Sequence, residues 1–212
     1  MRNKIYNQLK KIYLYSVAIF FDDVGVEDVG SYQYPKNLTN HYKNEITDLY
    51  LDEIWVITDY DKVKKGLEKY KYQSEYDVKY SLSDQYIRAI KNISTPPDTT
   101  IVPVPMHWLR YTKRSFDHMW HIAKETSTGL GMVFSPALAT KYTVHQALLN
   151  KKERLANRKN RFIIKNPERL SKNIVLIDDI ISTGSTANEC AKTLKSDKNV
   201  KRVVGVFLAS NQ

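Results

Sequence analysis

The chain has a single cysteine, Cys190, which excludes an intramolecular disulfide and any Cys-rich zinc site. Cys190 recurs with Ala187, Ala191 and Leu194 at helical spacing, so it reads as a packing residue rather than a nucleophile. Long apolar runs are also missing. The longest, Ile12 to Phe21, is about half of what a membrane helix needs. It follows a basic start but contains Tyr13, Tyr15 and Ser16 and runs into Asp22 and Asp23 with no small-residue cleavage site, unlike a signal peptide. The expectation is a cytoplasmic protein without membrane insertion. Neither G-x-x-x-x-G-K-[ST] nor G-x-G-x-x-G occurs, so the usual nucleoside-triphosphate and dinucleotide loops are excluded. Acid is in deficit: 23 Asp and Glu against 33 Lys and Arg leave a net charge of +10. That surplus suits polyanionic ligands or nucleic acid, and equally a solvated surface.

What is present centres on Ile174 to Thr186, IVLIDDIISTGST. Ile174, Val175, Leu176 and Ile177 have the pattern of a short strand buried on both faces. Asp178 and Asp179 follow, then Ser182, Thr183, Gly184, Ser185 and Thr186, and a helix is expected from about Ser185. Gly184 permits a bend and a close backbone approach to a ligand. Unpaired N–H groups and partial positive charge at a helix start favour a phosphate, and the four hydroxyls can donate to its oxygens. The two carboxylates accept from sugar hydroxyls, directly or through a cation. The plain alternative is a strand, a Ser/Thr helix cap and two solvated acids.

Around this stretch, strands and helices alternate. Residues 1–50 read as an accessory segment: Ile5, Leu9, Ile12, Tyr13 and Ser16 fit one helical face, Tyr13 to Phe21 fits a strand equally well, and Asp22 to Thr47 reads as loops. Residues 51–212 read as one domain of ordinary size. Glu53 to Asp59 is a strand, followed by a helix with Val63, Leu67 and Tyr70 on one side. A second helix, Ser81 to Ile93, turns Leu82, Tyr86, Ala89, Ile90 and Ile93 inward. Ile101 to Pro105 is a short strand expected to end at the second of its prolines. Phe116, Met119, Trp120, Ala123 and Leu130 line another helix, stopped by Gly131, with a strand at Met132 to Ala139. Val203 to Ala209 is the last strand. The alternation predicts an α/β protein with a doubly wound, mostly parallel sheet, binding its ligand at the carboxyl ends of the strands.

The stretch from Asp178 to Thr186 resembles the phosphoribosyl pyrophosphate (PRPP) signature of type I phosphoribosyltransferases. Residues 55 to 210 further resemble the ComF family of competence-associated phosphoribosyltransferases. The motifs are Lys71-Tyr72; Pro103-Val104-Pro105; Arg110 and Lys113; Arg114-Ser115-Phe116-Asp117-His118; Thr143-x-x-Gln146; and Arg154-x-x-Asn157. The resemblance implies PRPP and Mg²⁺ as ligands, with phosphoribose transferred to an unidentified acceptor and pyrophosphate released. Asp178 and Asp179 would serve the ribose; Ser182, Thr183, Gly184, Ser185 and Thr186 the 5′-phosphate; and Pro105, His107, Arg110, Arg114 or Arg154 the pyrophosphate. Mg²⁺ would arrive with PRPP near Asp178 and Asp179 rather than in a protein cluster. The family's link to competence adds single-stranded DNA and competence proteins as candidate partners, and a PRPP-binding module without enzymatic activity as the second reading.

Three departures stand out. The four-cysteine zinc module that opens most members of the family is lacking. The element Arg-Gly-Phe-Asn-Gln carries Ser115, Asp117 and His118 in place of Gly, Asn and Gln. Purine-salvage relatives carry an acid where this chain has Ser182, so the resemblance implies that 6-oxopurines are not the acceptor.

His118 and His121 share a helical face, but two capping or solvent-facing histidines fit better than a metal site without a third ligand. The basic run Lys151, Lys152, Arg154, Arg158, Lys159 and Arg161 is either a solvated face or, on the resemblance, a loop near pyrophosphate. The 15 tyrosines are scattered, so packing is their default over base stacking.

Overall fold

The computed structural model describes residues 34–64, 67, 78–106, 117–140 and 161–211. Strand β1 (Lys36–Asn37) and helix α1 (Thr39–Glu45) precede β2 (Glu53–Asp59). Next come α2 (Val78–Asn92), β3 (Thr99–Pro103), α3 (His118–Leu130), β4 (Val133–Phe134), β5 (Leu138–Thr140) and β6 (Phe162–Ile164). The chain ends with β7 (Asn173–Ile181), α4 (Ser185–Lys195) and β8 (Arg202–Ser210). The main sheet runs β1-β2-β8-β7-β3-β4. Its pairs are parallel except β1, which lies antiparallel on β2. β5 and β6 form a separate antiparallel pair.

The period-2 alternation of β7 sorts the core into two halves. Ile174 and Leu176 face a cluster with Tyr42 of α1 and Ala187, Cys190, Ala191 and Leu194 of α4. Val175 and Ile177 face the opposite cluster, with Leu82, Tyr86, Ala89 and Ile90 of α2 and Met119, Ile122 and Ala123 of α3. Both faces are thus covered, which is why β7 and β8 read as near-continuous apolar runs.

Chain direction then fixes where a ligand site can form. β3 continues through α3 to β4, on one side; β7, its neighbour, continues through α4 to β8, on the other. Adjacent parallel strands whose connections leave in opposite directions open a crevice at their carboxyl ends. In this chain the crevice falls between the loop after Pro103 and the loop after Ile181.

Several boundaries differ from the sequence expectations. β3 spans Thr99–Pro103 and stops at the first proline, not the second. Pro103 is tolerated inside the sheet because Val104 N–H donates to Ile177 C=O (2.9 Å), so the alternating position of Pro103 faces the β4 side. There β4 pairs only with Thr100 and Ile101, and no ladder donor is needed at Pro103. The single strand expected over Met132 to Ala139 is instead β4 and β5, in different sheets. Within Asp22 to Thr47, read as loops, residues 36–45 form β1 and α1, which Tyr42 ties to the core. Gly131 does stop α3, in the left-handed region at φ 66°.

Candidate functional site

β7 does not end at its apolar residues. Pairing with β8 continues through Asp178↔Phe207, Ile180↔Ala209 and Ile181↔Ser210, so both acids sit on ladder-fixed backbone. Pairing with β3 stops at Pro103↔Ile177. From Asp178 onward one edge of β7 is therefore released from β3, and the crevice begins at the acids.

Alternation gives the two acids different surroundings. Asp179 follows Val175 and Ile177 onto the α3 face, where its Oδ2 lies 3.1 Å from Nε2 of His118. This pair is largely withdrawn from water, with side chains 5% and 13% exposed for His118 and Asp179. The other oxygen of Asp179, Oδ1, accepts the N–H of Ile180 at 2.7 Å. Asp178 follows Ile174 and Leu176 onto the α4 face, and its Oδ1 accepts the N–H of Asp179 at 2.9 Å. Its charge is felt there by Cys190, whose thiol is held well above its usual range by burial first, then by Asp178 and Glu189.

Two tyrosines from opposite faces of the sheet brace the end of β7 and the start of the loop after it. Tyr86 O–H donates to the carbonyl of Asp178 at 2.6 Å, and Tyr42 O–H donates to the carbonyl of Ser182 at 2.8 Å. Burial raises both phenols above their usual value, and Asp179 and Asp178 push Tyr86 further, so each remains a donor through the physiological range. Two residues beyond Ser182, Gly184 adopts φ 69° and caps α4, its carbonyl accepting Asn188 N–H at 2.8 Å. A Cβ at Gly184 would lie 3.0 Å from Cδ1 of Tyr42 and 3.1 Å from Cδ1 of Ile46. Glycine is thus required twice, by conformation and by the closeness of α1. Ser182, Thr183, Ser185 and Thr186 are exposed, with the hydroxyls of Thr183 and Ser185 3.1 Å apart. Gly184 supplies no capping side chain, and the N–H of Ser185 reaches the Thr183 hydroxyl only at 3.5 Å, so the start of α4 lies beside these hydroxyls. Asn188 braces the arrangement, accepting Tyr50 N–H (2.6 Å) and donating to the Asp48 carbonyl (2.8 Å).

The structure therefore brings Asp178, Asp179, Ser182, Thr183, Gly184, Ser185 and Thr186 to one crevice, with partly buried Pro105 following β3 on its other wall. His107, Arg110, Arg114 and Arg154 lie outside the described residues, as do Lys71-Tyr72, Thr143, Gln146 and Asn157. Of the basic run only Arg161 is described; its N–H and Nε bind the two carboxylate oxygens of Glu189 at 2.8 and 2.9 Å. It is thus tied to the middle of α4 while its side chain stays 37% exposed.

The histidines need correction. His118 neither faces solvent nor caps the helix: Asp117 is the cap, accepting Trp120 N–H at 3.1 Å, and His118 is buried against Asp179. His121 is half-buried edge-on to Trp120, with ring centroids 5.0 Å apart. Among the described residues no three His, Cys, Asp or Glu side chains are grouped to hold a metal. Sequence reasoning missed the roles of Tyr42, Tyr86, His118 and Asn188. Tyr86 lay on the inward stripe of its helix, which gave its burial but not the destination of its hydroxyl.

The strand, acids, hydroxylated loop and helix start follow one another here in the order that the sequence pattern led one to expect. The chain is similar to Competence protein F of Haemophilus influenzae, 26% identical over 137 residues, covering 61% of this chain and 60% of that protein's length. Among solved structures it is similar to the adenine phosphoribosyltransferase of Leishmania tarentolae (12% identical, TM-score 0.42, 74% of this chain and 91% of that one). The adenine phosphoribosyltransferase of Leishmania donovani is 11% identical, with a TM-score of 0.43, over 74% of this chain and 84% of that one. No protein-family model matches the chain. No helix among the described residues is long and apolar enough to cross a membrane.

Proposed function

We propose that the chain binds PRPP with Mg²⁺ and transfers its phosphoribosyl group to an acceptor, releasing pyrophosphate. The observation that carries this reading is the short loop Ser182 to Gly184, with the acids of β7 on one side and the start of α4, capped by Gly184, on the other. The 5′-phosphate would sit on the N–H groups and hydroxyls from Thr183 to Thr186, drawn by the helix dipole. The carboxylates of Asp178 and Asp179 would accept from the ribose hydroxyls. Carboxylates are hard oxygen donors suited to Mg²⁺, and an ion that brings phosphate and water ligands with its substrate needs no protein cage. When bound, it would neutralise charge on the departing pyrophosphate.

Transfer breaks the bond from the anomeric carbon to the pyrophosphate oxygen, which keeps the electron pair, and forms a bond from that carbon to the acceptor. Positive charge grows on the ribose as pyrophosphate leaves, so the residues here act by positioning and by fixed charge rather than by covalent attack. Ser182 has no carboxylate to assist a purine ring nitrogen, and the acceptor proposed is therefore not a 6-oxopurine.

The similarity to Competence protein F favours a second reading, a PRPP-binding module of a DNA-uptake assembly that performs no transfer. One experiment separates the two: incubation with Mg²⁺–PRPP and a panel of bases and nucleophiles, measuring pyrophosphate release. Acceptor-dependent release establishes the enzyme. Saturable PRPP binding without release across the panel favours the module, and absence of both contradicts the proposal.

A further inference from the structure

We infer that His118 is a positioning residue for Asp179, fixing the carboxylate that faces the ribose end of the site; this rests on the phosphoribosyl reading above. His118 is the first residue of α3, set in place by the Asp117 cap. Its imidazole Nε2 reaches Asp179 Oδ2 at 3.1 Å while Asp179 Oδ1 accepts Ile180 N–H at 2.7 Å. An ionised carboxylate only accepts, so Nε2 is the donor. The backbone N–H engages one oxygen of the carboxylate and the imidazole engages the other. Held at both oxygens from two directions, it has one orientation, and at 13% exposure it still reaches the crevice. The pair also ties the ligand end of β7 to the start of α3. A buried polar pair of this kind is a poor source of stability compared with apolar side chains of the same volume. Packing alone gives no reason for a histidine at this position, whereas orienting a functional carboxylate does.

The test separates the N–H donor from the volume it occupies. His118→Gln keeps an N–H donor, and His118→Leu fills similar space without one. Calorimetric titration of the full chain with Mg²⁺–PRPP should show His118→Gln within about threefold of the wild type and His118→Leu weakened about tenfold. His118→Leu added to Asp179→Asn should cost little beyond Asp179→Asn alone, because one acts through the other. If His118→Leu binds as tightly as His118→Gln, or if its loss and that of Asp179→Asn multiply in full, the inference is overturned. Should His118→Leu fail to fold, His118→Met takes its place. Ligand-free crystal structures of the Gln and Leu variants supply a readout independent of PRPP. The Asp179 carboxylate should keep its place in the first and turn in the second, and an unmoved carboxylate in both overturns the inference. A wild type that binds no PRPP, with the carboxylate turning as expected, would sink the phosphoribosyl reading and leave the role of His118 standing.

Discussion

The hydroxyl of Tyr42 donates to the carbonyl of Ser182 across 2.8 Å, joining residues 140 positions apart. This bond connects α1 to the loop that sequence patterning alone had marked as the functional centre. Tyr42→Phe removes the donor and keeps the ring, and a typical neutral hydrogen bond contributes about 0.5–1.5 kcal/mol net. Urea unfolding of the variant should show a lower midpoint with an unchanged slope. An unchanged midpoint would show that α1 does not brace the loop.

Gly184 should tolerate a methyl less well than Gly131, although both have positive φ, at 69° and 66°. Alanine in the left-handed region costs about 1–2 kcal/mol at either site. At Gly131 the added Cβ meets nothing within 4 Å, whereas at Gly184 it meets Tyr42 and Ile46 at 3.0 and 3.1 Å. Gly184→Ala is therefore expected to destabilise the protein more than Gly131→Ala in parallel denaturant titrations. Equal losses would mean that the contact with α1 is slack.

The contrast between those glycines shows what the sequence could disclose. The parallel sheet, the apolar stripes of α2 and α4 and the strand at Glu53–Asp59 were legible because they rest on periodicity, which burial enforces locally. The order of strand, acids, hydroxyls and helix was legible because the whole unit lies within thirteen consecutive residues, Ile174 to Thr186. The bracing was not, since Tyr42, Tyr86 and His118 reach β7 and its loop from distant positions, and no local pattern marks such contacts. The split at Ser135–Ala137 was hidden for a different reason: β4 and β5 have two and three residues, too short to show alternation. The different environments of Asp178 and Asp179 follow from alternation along β7, but only once that strand is known to run on to Ile181.

Cys190 should be inert in the folded protein. It is fully buried, and its thiol is held well above the usual range by burial, then by Asp178 and Glu189. The reactive thiolate is therefore scarce as well as shielded. A chromogenic disulfide reagent at pH 8 should detect no thiol in the native chain and one per chain in denaturant. Rapid reaction of the native chain would place Cys190 at the surface.

Stability should fall at alkaline pH through Tyr86. Its phenol is raised well above the usual value by burial, then by Asp179 and Asp178. The folded state thus keeps a proton that the unfolded chain releases near pH 10. With fewer protons bound unfolded than folded, unfolding free energy declines as pH climbs above about 10, and the contribution is intact below that. Tyr86→Phe, unable to ionise, should show a shallower decline between about pH 9 and 11. Matching slopes for wild type and variant would remove Tyr86 from the alkaline transition.

The central claim is that the loop beyond β7 is a PRPP site, and its most direct test is calorimetric titration with PRPP in the presence of Mg²⁺. The account predicts saturable binding that requires Mg²⁺ and weakens tenfold or more in Asp178→Ala or Asp179→Ala, the loss expected when hydrogen bonds to a charged acceptor worth about 1.5–3 kcal/mol are removed. Unchanged affinity in the variant lacking both carboxylates, or no binding by the wild type, would contradict it.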